Sequence, residues 1–288
     1  MRKFAFCRKA TLVVAVSFVL LAMTVPTYAA KKNKWVEKKG AWTYYNSKGK
    51  LAKGMTNIGG KTYFFDEKGR QCFGWRKVGS DYRFFSRGVK TGAAMVSNTT
   101  VDGIKINSSG KAAVNDSNKK KIKILTAYAG IVDSVVFSNG GYSKLGTTKA
   151  RTYACIRYLE NTNYYYRQMN LGLVLNENEA LTWANAGTGM LSNGSLVSDC
   201  RGFSAAFAYM EHALGEKNVT ICYKKHVHAW VKIGNSYYDP MFAAYPQGTS
   251  KKHRYDMYFP VPSNMSKYKY NQYGPKSYSK YDTSWKIC

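Results

Sequence analysis

The sequence predicts an α+β protein, in which a helix packs on an antiparallel sheet and an all-β solenoid of repeated hairpins precedes them. Three observations lead to this fold class. An aromatic motif recurs at a 20-residue step between Trp35 and about Val114. An apolar stripe with helical spacing begins close to Cys200. Strand-like segments then lie on either side of the turn Gly234-Asn235.

The aromatic motif marks a series of β-hairpins. Tyr44, Phe64 and Phe84 are 20 residues apart, and each is followed by a polar, glycine-containing turn and a second short segment. This pattern is typical of a β-hairpin. Because a single hairpin cannot bury its aromatic face, we expect the hairpins to stack into a solenoid. A weaker last unit at 101–110 has lost its aromatic residues and is expected to cap the stack.

These units resemble the cell-wall-binding repeats, also called choline- and glucan-binding repeats, of Gram-positive surface proteins. The resemblance rests on an aromatic pair before Asn/Asp-x-x-Gly and on the closing Gly74-Trp75. It implies a cell-wall polymer as partner, with choline, glucan or teichoic acid as the possible ligand. Gly54-Met55 and Gly92-Ala93 depart from the Gly-Trp pattern, so these alternatives stay open.

Aromatic side chains of such repeats can bind a quaternary ammonium group through cation–π attraction. The alternative is that they only hold the stacked hairpins together. The candidate ligand-binding residues are Trp42, Tyr44, Tyr63, Phe65, Trp75 and Tyr82.

The N-terminus predicts export. Met1–Ala10 is basic, Thr11–Val25 is apolar, and Thr27-Tyr28-Ala29 supplies small residues for cleavage, as in a signal peptide. The apolar run is shorter than the roughly 20 residues of a membrane-spanning helix. The predicted division is therefore a signal peptide (1–29), hairpin repeats (30–115), a linker (116–121) and a second domain (122–288). We expect a protein secreted to the cell wall or cell surface, with no membrane span after cleavage.

The formal net charge of +28 limits the partners. Four of these charges lie in the predicted signal peptide, which leaves +24. A basic chain can bind nucleic acid, anionic lipid or an acidic polymer. Its positive charge is spread along the chain, without an arginine-rich helix or an RNA-binding motif, so nucleic acid is not expected as a partner.

The second domain contains three predicted helices and three predicted strands. The 122–146 segment is apolar without a clear period, and the 263–288 segment is read either as a last strand or as a basic tail. The helices are expected at Thr148–Asn161, with Thr148 as the N-cap, at Asn178–Gly187, and from a cap at Ser198 or Asp199 to Gly215. The strands are expected at Val219–Tyr223, His226–Ile233 and Ser236–Tyr238.

Cys200, His228 and Asp239 form the candidate catalytic group. Cys200 lies in the first turn of its helix, where the dipole and unpaired N–H groups favour a thiolate. A two-residue turn at Gly234-Asn235 makes Ile233 face Ser236, which puts His228 and Asp239 on one face of the hairpin. Singly, a buried cysteine or a packed histidine is ordinary. Together they are the nucleophile, the base and the group that orients the base.

Three runs resemble the transglutaminase-like superfamily, whose papain-like core packs the helix of the nucleophile on an antiparallel sheet. They are Asp199–Phe207, His228–Val231 and Tyr238–Pro240. The resemblance implies that Cys200 is the nucleophile, His228 the general base and acid, and Asp239 the residue that fixes the imidazole. It also implies an oxyanion donor in the backbone N–H of Cys200, with Trp183 as the candidate side-chain donor.

The implied activity is cleavage or transfer at an amide bond of a protein or of a peptidoglycan stem peptide. Hydrolysis is favoured over transglutaminase-type transfer to an amine, and a catalytically idle surface-binding or adhesion protein is the alternative.

No cofactor and no metal is predicted. His226 and His228 could hold a metal with Asp239 or Glu211, but no further histidine or cysteine is well placed. Five cysteines follow the signal peptide, an odd number whose disulfide pairing is left open: Cys72, Cys155, Cys200, Cys222 and Cys288.

Overall fold

Four antiparallel β-hairpins form the N-terminal part of the protein. The computed structural model describes residues 32–166, 172, 175–191, 195–225, 228–241 and 280–287, so the predicted signal peptide, His226 and Cys288 lie outside the described residues. The strands of this part are β1 (Lys34–Lys38), β2 (Ala41–Tyr45), β3 (Gly54–Ile58), β4 (Lys61–Phe65), β5 (Gln71–Cys72), β6 (Gly74–Val78), β7 (Asp81–Phe85), β8 (Thr99–Val101) and β9 (Ile104–Ile106).

The 20-residue step of the sequence is also the step of the hairpins. Three pairs occupy the same cross-strand position in successive hairpins: Trp35 opposite Tyr44, Met55 opposite Phe64, and Trp75 opposite Phe84. The unit without aromatic residues also forms a hairpin, in which Val101 pairs with Ile104. The prediction of hairpin repeats is therefore confirmed.

The rest of the protein combines helices with a four-stranded antiparallel sheet in the order β14-β13-β12-β15. A separate parallel pair joins β10 and β11. The elements are α1 (Lys119–Ser138), α2 (Thr148–Glu160), β10 (Asn163–Tyr166), α3 (Glu177–Leu191), β11 (Ser195–Ser198), α4 (Cys200–Ala213), β12 (Val219–Lys224), β13 (His228–Ile233), β14 (Ser236–Tyr238) and β15 (Thr283–Lys286). The predicted helices and strands are present among the described residues, with α3 extending beyond its predicted end. The N-cap of α2 is Thr147 and not Thr148 as predicted, since the Thr147 side chain accepts a hydrogen bond from the backbone N–H of Ala150.

Of the predicted tail at 263–288, only residues 280–287 are among the described residues. Its described part contains β15, which pairs with β12 as the edge strand of the sheet. This favours the last-strand interpretation for Thr283–Lys286.

Helix α1 corrects the predicted linker. Lys119, Lys120 and Lys121 form its first turn, so only 116–118 connects the repeats to this helix. The apolar positions missed in the sequence do follow a helical period, and all are buried: Ile122, Leu125, Ala129, Val132 and Val136. No helix in the described ranges, α1 included, is long and apolar enough to cross a membrane.

The repeats and the helical part share one hydrophobic core. Phe73, Trp75 and Phe84 belong to the same buried cluster as α1 and α4, whereas Tyr63 and Phe65 form a small separate cluster. Residues Lys32–Cys288 accordingly form one compact unit. The predicted boundary between the repeats and the second domain is thus a change of secondary structure within that unit.

A buried ion pair joins the third hairpin to α1. Nη2 of Arg76 on β6 lies 2.8 Å from Oδ1 of Asp133, and both side chains are largely covered. Gly74 begins the same strand at φ +80, and a Cβ there would lie 3.2 Å from Cβ of Ala129. Glycine at this position therefore allows both the left-handed backbone and the close approach of the helix.

Candidate active site

The N-terminus of α4 places Cys200. Asp199 is the N-cap, and its carboxylate accepts a hydrogen bond of 2.9 Å from the backbone N–H of Arg201. The same carboxylate forms a buried ion pair with the Arg201 guanidinium at 2.6 Å. A side chain at Gly202 would collide with Oγ of Ser198, so glycine lets the first turn of α4 pack against the preceding strand. Cys200 remains half-buried at this helix start.

The sheet places the other two predicted catalytic residues. His228 begins β13, and Asp239 directly follows β14. As predicted, Ile233 pairs with Ser236 across the turn. Nε2 of His228 lies 2.7 Å from Oδ2 of Asp239, and the two residues are 3% and 0% exposed. The hairpin geometry expected from the sequence is therefore present.

The second ring nitrogen of His228 is left for Cys200, because Nε2 is engaged by Asp239. Cys200 lies close enough to His228 for its side chain to contribute to the raised pKa of the imidazole. Burial alone would lower the pKa of His228, but the charge and hydrogen bond of Asp239, followed by Cys200, outweigh it. The pKa of His228 therefore rises from 6.5 to about 10. At neutral pH this histidine is a cation beside a thiol.

An imidazolium next to a cysteine stabilises the thiolate, which is the nucleophilic form. Cys200 also differs from the other three described cysteines, which like it are free thiols. Burial is the first cause that raises the pKa of Cys72, Cys155 and Cys222, the last to about 12. Of the four, only Cys200 combines partial exposure with a cationic neighbour.

Trp183 is not the oxyanion donor suggested by the sequence. Its indole N–H donates to Oε1 of Glu179 at 2.8 Å, and the side chain is 0% exposed. Its ring packs edge-on against Tyr223. The backbone N–H of Cys200 remains a candidate donor, since first-turn N–H groups have no intrahelical acceptor.

Two residues beside the site were not singled out from the sequence. The ring of Trp230 stacks on His228, with centroids 6.1 Å apart and planes inclined by 24°. Arg201 neutralises Asp199, the carboxylate next to Cys200 in the chain. The alternation of β13 could have indicated Trp230, which lies two residues from His228 on the same face. The role of Arg201 has no comparable sequence signal.

The structure separates Glu211 from the candidate site. Glu211 is fully buried on α4, beside the thiol of Cys155. Among the described residues neither carboxyl oxygen has a well-formed hydrogen bond, and a thiol is too weak a donor to offset the burial. Burial raises the pKa of Glu211 from 4.5 to about 8. In the described ranges no group of three metal-ligating side chains occurs, and His226 lies outside them.

The predicted wall-ligand residues fall into a buried group and a half-buried group. Tyr63, Phe65 and Trp75 are 1%, 1% and 2% exposed, so a ligand cannot stack on them without unpacking the hairpins. Their observed role is structural, which corrects the prediction for these three. The candidates that remain half-buried are Trp42, Tyr44 and Tyr82.

Trp35 was not among the candidates, although it organises the first hairpins. Its ring lies 5.3 Å from Tyr44, 5.2 Å from Tyr63 and 5.8 Å from Phe65, measured between centroids. Aromatic contacts at these separations stabilise the stack beyond simple burial.

A polar cluster joins the cap of the repeats to α4. Oδ2 of Asp102 accepts from Nε1 of Trp75 at 2.8 Å, and Oδ1 lies 3.0 Å from Nε2 of His212. Nε of Arg87 donates to the carbonyl of Ala213 at 3.0 Å. Arg87, Asp102 and His212 border an open cavity of about 330 Å³. The cluster fixes the repeats on the end of α4 away from Cys200.

No protein-family model matches the chain, and no curated protein matches it. Several solved structures match in part. The choline binding domain of Spr1274 from Streptococcus pneumoniae is 27% identical with a TM-score of 0.25, and the match covers 28% of this chain and 93% of that one. CbpJ from Streptococcus pneumoniae is 29% identical with a TM-score of 0.24, over 27% of this chain and 26% of that one.

A third partial match is the multimodular pneumococcal cell wall endolysin from phage Cp-1, complexed with choline. It is 26% identical with a TM-score of 0.21, over 29% of this chain and 25% of that one. This chain thus spans about a quarter of the endolysin and of CbpJ. Because none of these three matches reaches a third of this chain, its function has to be inferred from its own residues.

Proposed function

We propose that this protein attaches to a cell-wall polymer through its hairpin repeats and carries a cysteine-dependent site for amide bonds. The observation that carries the catalytic half is the short contact between Nε2 of His228 and Oδ2 of Asp239, beside a half-buried Cys200. The wall-binding half is supported by the 20-residue aromatic repeats and by the half-buried rings of Trp42 and Tyr44.

In the proposed reaction, the Cys200 thiolate attacks the carbonyl carbon of an amide. The carbonyl oxygen becomes an oxyanion, which the backbone N–H of Cys200 can stabilise. As the C–N bond breaks, His228 gives its proton to the leaving amine, and a thioester to Cys200 remains. Asp239 keeps the imidazole oriented through both changes of protonation.

The thioester can be resolved in two ways. Water that attacks it gives a carboxylic acid as the C–S bond breaks and releases the Cys200 thiolate, and His228 takes up the proton that the water loses. An amine that attacks it gives a new amide and returns a proton to His228 in the same manner. The first outcome is a peptidase or amidohydrolase, and the second is a transglutaminase-type acyltransferase. Proteins and peptidoglycan stem peptides are the proposed substrates.

A second candidate function is a surface-binding or adhesion protein whose triad is inactive. The observation that favours it is the engagement of the Trp183 N–H by Glu179, which leaves the described residues without an assigned side-chain oxyanion donor. An inactive triad would keep its packing and hydrogen bonds while lacking turnover.

One experiment separates these functions. The exported chain and its Cys200→Ala variant are incubated with purified cell wall and a fluorescent primary amine, and the soluble and insoluble products are analysed. Released peptides in the wild type alone indicate hydrolysis, and wall-bound fluorescence in the wild type alone indicates transfer. Equal cosedimentation of both proteins without either product indicates a binding protein. Products that survive in Cys200→Ala would exclude the cysteine mechanism.

A further inference from the structure

One ring face on the first hairpin is suited to a cation. Trp42 on β2 lies directly opposite Glu37 on β1, so the two side chains share one side of the hairpin. Side chains at such cross-strand positions are about 5 Å apart at Cβ. Trp42 is half-buried and Glu37 is exposed. An indole face beside a carboxylate attracts a cation through both the ring quadrupole and the negative charge.

That ring face is already occupied by a side chain of the same protein. Nζ of Lys90 lies 4.0 Å from the ring centroid of Trp42, although the two residues belong to the third and first hairpin units. Lys90 is an exposed residue and forms no ion pair with the described residues. The indole is therefore the group that fixes the position of this charge.

The backbone holds Lys90 in this place. Lys90 begins a short 3-10 turn after β7 and has a φ of +48, the left-handed region that a lysine rarely adopts. Nε2 of Gln71 donates to its carbonyl at 2.6 Å, and Gln71 is 7% exposed. The contact thus follows from a fixed main chain, and only the end of the lysine side chain has to move to uncover the ring.

We infer that Lys90 is an internal occupant of a cation site on Trp42, and that a quaternary ammonium or alkylammonium group of an external ligand binds there by displacing it. The ammonium and the ligand exclude each other, because a cation 4.0 Å above the centroid covers that face. This inference rests on the wall-binding half of the proposed function, whose ligand chemistry and regulation it specifies. Lys90 makes the site weaker than an open aromatic site.

The test is a calorimetric titration of the exported chain with choline chloride as the probe. Lys90→Gln removes the competing charge and keeps much of the side chain, while Lys90→Arg keeps a cation that can stack on the indole. Lys77→Gln is the matched control for net charge, since Lys77 is another exposed lysine of the repeats without a ring contact. Trp42→Phe identifies the indole N–H signal of Trp42 in a parallel NMR titration.

Lys90→Gln is expected to bind choline about two- to fivefold more tightly than the wild type, the factor that one exposed cation–π contact supplies. Lys90→Arg and Lys77→Gln should match the wild type, and the NMR signal of Trp42 should shift in every protein that binds. Equal affinity of Lys90→Gln and the wild type would overturn the inference. So would binding that leaves the Trp42 signal unchanged, or the absence of choline binding in all variants.

Cosedimentation with purified cell wall distinguishes this inference from the proposed function. If the wild type binds wall but Lys90→Gln has no effect on choline, the wall attachment stands and the cation site is wrong. If the wild type does not bind wall, the wall-binding half of the proposed function fails whatever the choline result.

Discussion

Nε2 of His228 lies 2.7 Å from Oδ2 of Asp239, and both residues are buried. The pair joins the start of β13 to the end of β14 across the turn at Gly234. It leaves the other imidazole nitrogen available to Cys200, whose side chain contributes to the raised pKa of His228. A charged carboxylate in this position does more than hold the ring, since it also favours the imidazolium that stabilises a thiolate.

Asp239→Asn removes the negative charge of this contact but keeps the size and shape of the side chain. The amide can still orient the imidazole, but it no longer stabilises the imidazolium, so the pKa of His228 should fall towards its ordinary value. We expect the rate of Cys200 alkylation at neutral pH to drop by at least about tenfold, with a larger loss of any turnover. Mass spectrometry of the alkylated peptide measures the rate, and thermal unfolding checks that the variant is folded.

The raised pKa of His228 also makes stability depend on pH. Because its folded pKa of about 10 exceeds the unfolded value of 6.5, the folded protein holds this proton more tightly. The resulting stabilisation is fully present below pH 6.5 and is lost as the pH rises through 10. Urea unfolding of the wild type and His228→Gln across this window should show a smaller decrease with pH in the variant. Parallel curves would contradict the pairing.

Glu211 makes the free energy of unfolding depend on pH in a second, lower pH range. Its pKa is about 8 in the folded protein and 4.5 when unfolded, so the folded protein binds the proton more tightly between these values. The free energy of unfolding should therefore fall as the pH rises from 4.5 to 8. Glu211→Gln removes this slope, and at pH 8 the variant should be as stable as the wild type or more stable. Urea unfolding at both pH values measures it, and an unchanged slope would show that Glu211 is not the titrating group.

The ion pair between Arg76 and Asp133 should couple the repeats to α1. Removing one partner leaves a buried charge without its counter-ion, so Arg76→Met alone is expected to destabilise the protein by about 3 kcal/mol. Arg76→Met combined with Asp133→Leu should recover much of that loss, because no buried charge remains. A double-mutant cycle measures this coupling. It compares guanidinium unfolding of the wild type, the two single variants and the double variant. Additive single effects would mean that the pair does not couple the two parts.

Asp199 combines two roles at the start of α4, and two variants separate them. Asp199→Asn keeps the cap and loses the ion pair with Arg201, whereas Asp199→Ala loses both. Loss of an N-cap costs about 1 kcal/mol. We expect Asp199→Ala to be less stable than Asp199→Asn by about this amount, as measured by thermal unfolding. Similar stabilities would indicate that the cap contributes little to this helix.

Much of the site could be predicted from the sequence because its geometry follows from local rules of helix and strand structure. The helical spacing after Cys200 and the two-residue turn at Gly234 fix the helix start and the hairpin register. His228 and Asp239 then share a face by the two-residue period of strands. These predictions need no knowledge of how distant segments pack.

The parts that were missed depend on tertiary packing. Trp183 has the side chain of an oxyanion donor, but the neighbouring turn of its own helix places Glu179 on the indole N–H. Tyr63 and Trp75 share the aromatic pattern of Trp42, yet only the stacking of hairpins on each other and on α1 decides which rings are covered. The basic residues at the start of α1 resemble a linker until its buried face is seen.

The most direct test of the central claim is the rate at which iodoacetamide alkylates Cys200 at pH 6.5, the ordinary pKa of histidine. The wild type and His228→Ala are compared by peptide mass spectrometry, with the buried Cys222 as an internal reference. The proposed thiolate–imidazolium pair predicts that Cys200 reacts much faster than Cys222 in the wild type and slows by about tenfold or more in the variant. Equal rates of Cys200 in the two folded proteins would contradict it.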